Sequence, residues 1–114
     1  MSQPLEVPLT PAVFFTLFAL AGGDKHGYAI MQEARKLSDG SFRMGPATLY
    51  TTVQRLLELD LIVEVTGDGE PDGRRRTYRL TDRGSALLGA ELKRVEALLR
   101  RAKAMNWKPV EVKP

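Results

Sequence analysis

The segment Thr10-Pro11-Ala12-Val13-Phe14-Phe15-Thr16-Leu17-Phe18-Ala19-Leu20-Ala21 constrains the fold more than any other stretch of the chain. Thr10 followed by Pro11 is a helix start, because the threonine hydroxyl caps free backbone N–H groups and proline tolerates the first helical position. Gly22-Gly23 stops the helix. Between these limits the side chains are apolar nearly all round, so the helix must be buried, on both sides. The apolar run is too short to span a bilayer, and no basic segment precedes it. Neither a membrane span nor a signal peptide is expected, and a soluble cytoplasmic protein follows.

With 114 residues the chain suits one domain with a modest core, a size at which folds commonly gain stability and function by dimerising. Hydrophobic content of 43% and charged content of 27% exclude disorder and a fibrous repeat. Cysteine is absent, which removes disulfides, thiolate nucleophiles and sulfur-ligated zinc. The 17 basic residues outnumber the 14 acidic ones by three. That tilt toward anionic partners matters only where the charge is clustered.

A second helix starts near Lys25-His26 and sets Gly27, Ile30, Met31, Ala34 and Leu37 on one apolar face before Ser38-Asp39-Gly40. Gly45-Pro46 opens a third, with Leu49, Val53, Leu56 and Leu57 as its core stripe. At 100° per residue Ala47, Thr48, Thr51, Gln54 and Arg55 point the other way, with Tyr50 and Thr52 on the flanks. Leu61 to Thr66 and Arg75 to Leu80 are rich in β-branched and aromatic residues and read as a hairpin around a Gly/Asp/Pro loop. Thr81 caps a last helix running from Asp82 to about Asn106, and Lys108 to Pro114 reads as an irregular tail. The fold class is α+β, mostly α: a winged helix-turn-helix over residues 1–80, a long C-terminal dimerisation helix over 81–108, and a tail over 109–114.

The outer face of the third helix is the strongest functional candidate. Thr48, Thr51, Gln54 and Arg55 offer hydrogen-bonding groups to base edges, Ala47 suits a thymine methyl, and Tyr50 can donate its hydroxyl to a phosphate. A solvated face that contacts nothing would look the same taken alone. Beside it, in Gly67 to Gly84, GDGEPDGRRRTYRLTDRG, an acidic glycine-rich turn runs into consecutive arginines. With Tyr78 and Leu80 inward, Arg75 and Arg79 fall on the other face and Arg74 and Arg76 at the strand edge, a basic stripe suited to phosphates. Arginines also keep edge strands apart, which is the competing reading. Gly67, Gly69, Asp72 and Gly73 suit a tight turn, and Asp68, Glu70 and Asp72, which lack the distal bidentate acid of a calcium loop, are read as repelling phosphate and holding the tip off the duplex.

In the last helix Leu88, Leu92, Val95, Leu99 and Ala102 alternate spacings of four and three, the seam of a coiled coil. A second subunit is the expected partner; folding back over the three-helix core is the alternative. Phe14, Phe15, Phe18 and Trp107 are the candidate lining for a small flat aromatic ligand between subunits. Trp107 has a plainer reading as a packing residue. His26 is the sole histidine and is read as a turn or helix-start residue. No nucleophile elbow or base-and-orienter spacing is present, so neither an enzyme nor a cofactor or metal is expected.

His26-Gly-Tyr-Ala-Ile30, Gly45-Pro-Ala-Thr-Leu-Tyr50 continuing to Arg55-Leu56 and Leu61-Ile62, and Gly73-Arg-Arg-Arg-Thr-Tyr-Arg-Leu-Thr81 followed by Gly84 together resemble the PadR family of bacterial transcriptional regulators. The resemblance covers roughly Leu9 to Leu88. It implies a dimeric winged-helix regulator, usually a repressor, that binds double-stranded DNA at an inverted repeat through Tyr50 and its neighbours, with wing basic residues on the backbone. Two positions depart from the family pattern: Asp60 stands where glycine is usual, and Arg75 where proline is often found. A winged helix serving only as a protein-binding module is the competing class.

Overall fold

The computed structural model describes residues 5–65 and 76–114. The order of elements is α1 (Pro11–Ala21), β1 (Lys25–His26), α2 (Gly27–Leu37), α3 (Pro46–Glu58), β2 (Ile62–Val65), β3 (Thr77–Leu80) and α4 (Asp82–Ala104). Helix α1 begins as its sequence dictates: the Thr10 hydroxyl accepts the Val13 N–H and Pro11 occupies the first turn. Val13, Thr16, Leu17, Ala19 and Leu20 are buried, and Phe14, Phe15 and Phe18 pack half-buried against the same core. The helix is the hub on which α2, α3, α4 and β3 assemble.

Helix α2 buries Ile30 and Ala34, and His26 caps it by accepting the Ala29 N–H on Nδ1. The helix therefore starts one to two residues later than the sequence suggests, because Lys25-His26 forms a strand. That strand pairs antiparallel with β3, Lys25 opposite Tyr78 and His26 opposite Thr77. The wing is thus the outer part of a three-stranded sheet of order β1-β3-β2, with Ile62 opposite Leu80 and Val65 opposite Thr77 on the other edge. Two residues carry no periodicity, so sequence pattern alone misses β1. The wing tip, residues 66–75, holds the acidic turn together with Arg74 and Arg75 and lies outside the described residues.

Helix α3 buries Leu49, Val53 and Leu56, with Leu57 half-buried. Thr52, expected on a flank, is buried, on the side of α3 that faces residues 5–10 across a cleft. Helix α4 divides into two parts. Gly84, Leu88 and Glu91 are buried in its first three turns. Beyond them Leu92, Val95 and Leu99 are 37%, 46% and 56% exposed. Leu88, expected in an intersubunit seam, belongs to the chain's own core. The spacing of four and three marks a buried stripe without saying whose residues bury it.

Candidate nucleic-acid interface

Helix α3 presents its outer face as the periodicity predicts. Ala47, Thr48, Tyr50, Thr51 and Arg55 are exposed, and Gln54 is half-buried. Gly45 caps the helix without a side-chain acceptor, so the first-turn N–H groups stay open to an anion, assisted by the helix dipole. The Thr51 hydroxyl donates to the Ala47 carbonyl at 3.1 Å. What it presents outward is therefore its lone pairs, which suit a base amino group rather than a base carbonyl.

One flank of α3 faces the wing across an open cleft of about 420 Å³. Leu49 and Val53 form its floor, and Tyr50, Gln54, Arg76 and Tyr78 its walls. Burial first, and then the nearby Glu64 carboxylate, push the Tyr78 phenol above its ordinary range. Arg76 is exposed, with Nε 3.5 Å from Glu64 Oε1, a loose surface pair that a phosphate can displace. The other flank, at Thr51 and Arg55, faces residues 5–10 across a second cleft.

Arg79, expected on a phosphate, is exposed at the surface and paired with Asp24. Its Nε donates to Asp24 Oδ1 at 3.1 Å and its Nη2 to Oδ2 at 2.8 Å, a two-pronged pair that fastens β3 to the turn after α1. The hydrogen bonds from Arg79 hold the Asp24 carboxyl below its usual range against a smaller opposing effect of burial, and the Arg79 charge adds to them. The guanidinium expected on a phosphate is engaged within the protein. Asp24 lies 55 positions from Arg79, and no sequence pattern links the two.

The aromatic group does not converge within one protomer. Phe14 meets Phe15 and Phe18 edge-on with ring centroids 5.0 and 5.5 Å apart, and Phe15 stacks on Phe42 at 5.5 Å. Phe14 and Phe15 also border a small cleft with Leu9, Glu91, Arg94 and Val95. Trp107 is exposed beyond the end of α4. Val95 to that end is about 15 Å at 1.5 Å per residue. Trp107 is not among the residues that border the cleft beside Phe14 and Phe15. Ala102 is half-buried on the same helix, next to the exposed run from Leu92 to Leu99.

Sequence reasoning overlooked Glu91. It is 3% exposed, yet charged: its carboxylate accepts the Leu9 N–H and a hydrogen bond from Arg94 Nε. Burial raises its pKa, but the Leu9 N–H and the hydrogen bond and charge of Arg94 outweigh that and hold the carboxyl below its ordinary range. The group ties residues 5–9 to α4. Among the described residues no cluster of three or more His, Cys, Asp or Glu is placed to hold a metal, and no helix is long and apolar enough to cross a membrane.

Known proteins share this fold. Residues 17–90 match the profile of the Transcriptional regulator PadR-like family. An uncharacterised protein of Lysinibacillus sphaericus is 39% identical over 70 residues, 61% of this chain and 64% of that protein, so the chain spans a little under two thirds of that relative. A transcriptional regulator of Mycobacterium tuberculosis is 40% identical over 81 residues, 70% of this chain and 71% of that one. The crystal structure of a PadR family transcription regulator from Clostridium difficile superposes with a TM-score of 0.68 over 86% of this chain and 100% of that one, a likeness of fold at 19% identity. With the profile covering well over half its length, and a winged helix beneath it, the chain belongs to the PadR-like family of transcriptional regulators.

Proposed function

We propose that the protein binds double-stranded DNA sequence-specifically as a homodimer, reads an inverted repeat and represses transcription from the site it occupies. The observation that carries this is the exposed polar face of α3, from Ala47 to Arg55, flanked by a wing edge bearing Arg76. A helix presenting short hydrogen-bonding side chains fits the major groove, and a basic wing beside it fits the adjoining backbone. The exposed Leu92–Leu99 stripe supports a second copy as the partner. Two recognition helices related by a two-fold axis require half-sites about one helical turn apart. A small dimer occupying DNA favours repression, since occupancy excludes polymerase.

Salt titration of binding to genomic fragments tests the proposal. Wild-type affinity should fall steeply as salt rises, and Arg76→Ala should weaken binding to all sequences while reducing the slope by about one phosphate contact. An unchanged slope removes Arg76 from the interface. A protein without sequence preference is instead a protein-binding winged helix. A small aromatic effector enters this proposal between subunits, next to the cleft that Phe14, Phe15 and Val95 border within each protomer. A thermal-shift screen of planar aromatics that changes neither stability nor DNA affinity removes it.

A further inference from the structure

Leu59-Asp60-Leu61 closes α3, Thr81-Asp82-Arg83-Gly84 opens α4, and the two segments lie on each other. At the end of α3 the Asp60 N–H donates to the Leu57 carbonyl at 3.1 Å and the Leu61 N–H to the Leu56 carbonyl at 2.9 Å. Thr81 binds this corner twice. Its N–H donates to the Leu61 carbonyl at 3.2 Å and its hydroxyl to the Asp60 carbonyl at 2.7 Å. The same hydroxyl oxygen accepts the Gly84 N–H at 3.0 Å and so caps α4. Gly84 brings the helix backbone down onto the corner: a Cβ there would stand 2.0 Å from the Leu61 oxygen and 3.0 Å from its carbonyl carbon. Only glycine permits that approach.

A single close-packed corner therefore ends the helix that carries the base-reading side chains and seats the helix that carries Leu92, Val95 and Leu99. We infer that Thr81 and Gly84 are positioning residues that set the angle between these two helices, and with it the half-site spacing the dimer accepts. The inference rests on the dimeric reading above. Neither residue lies on α3 or in the wing, so neither needs to touch DNA to exert this control. The exposed stripe is centred about 11 residues past Gly84, roughly 17 Å along the helix. An alanine at position 84 has to retreat from the Leu61 oxygen by about 1 Å or more. Tilting an arm of that length by such a step moves the recognition helices apart or together by several ångströms, and one base pair rises about 3.4 Å.

The test uses duplexes carrying two copies of the half-site that wild-type protein selects from random DNA, with their separation varied one base pair at a time. Gly84→Ala, Thr81→Val and Thr81→Ser are compared with wild type after circular dichroism has confirmed folding. Wild type should show one optimum spacing. Thr81→Val loses both hydroxyl hydrogen bonds and should shift or flatten that optimum, cutting the preference for the best over the next spacing by roughly threefold or more. Thr81→Ser keeps both bonds and should retain the wild-type optimum. Gly84→Ala should move the optimum by about one base pair; if it does not fold, the two Thr81 variants decide. Variants that bind more weakly but keep the wild-type optimum overturn the clamp while leaving the dimer intact. A wild type indifferent to spacing overturns the paired half-site reading, and the clamp with it.

Discussion

At Asp60 the backbone takes φ 59°, a left-handed conformation that glycine enters freely and that aspartate tolerates because its short polar side chain bonds locally. The glycine usual at this position in the family is thereby explained: the turn from α3 into β2 demands positive φ, and Asp60 is a permitted substitute. Asp60→Gly should leave stability at or above wild type in urea unfolding, whereas a β-branched Asp60→Val should lose about 1–2 kcal/mol. Glu91 supplies a second test. Its folded pKa lies below the value of an unfolded glutamate, so it stabilises the fold above pH of about 4.3 and that contribution is lost as pH falls through the lower folded value. The wild-type melting temperature should drop through this window more steeply than that of Glu91→Gln. Glu91→Ala at pH 7 leaves the Leu9 N–H without its acceptor and should cost about 1–3 kcal/mol. Equal acid profiles for wild type and the glutamine variant contradict this assignment. Nothing in the sequence separates Glu91 from an ordinary surface glutamate, because its partner Leu9 is 82 positions away.

Among the elements, those with three or more turns of periodic burial were legible. The caps at Thr10 and Thr81, the proline at the start of α3 and the apolar stripes placed α1 through α4 within a residue or two of their observed limits. The outer face of α3 followed from the same periodicity. Features made by long-range pairing or packing were not legible: strand β1, the Asp24–Arg79 pair, and the burial of Thr52. The stripe of α4 was seen, but its division between the chain's own core and an exposed half was not. That division separates two substitutions on one helix. Leu88→Ala removes a core side chain and should cost about 2–5 kcal/mol in thermal unfolding. Leu99→Glu, on the exposed half, should leave the melting behaviour of the protomer nearly unchanged while light scattering reports a monomer. A folded dimer from Leu99→Glu assigns the interface elsewhere.

At the scale of the whole molecule, the radius of gyration is 16.4 Å and the longest dimension 57 Å. A compact chain of this length has a radius near 13 Å. The excess comes with a helix that is buried for three turns and then exposes its apolar side, the surface the proposal assigns to a second copy. A net charge of +3 is too small to bind DNA by bulk attraction, so recognition rests on where the polar and basic groups sit. The central claim is that α3 reads base edges. It is tested most directly by equilibrium binding of wild type, Thr48→Ala and Gln54→Ala to the site wild type selects from random DNA and to its single-base-pair variants. Each substitution should erase about 1–3 kcal/mol of discrimination at one or two particular base pairs and leave the rest unchanged. Uniform weakening across all sequences would contradict the claim.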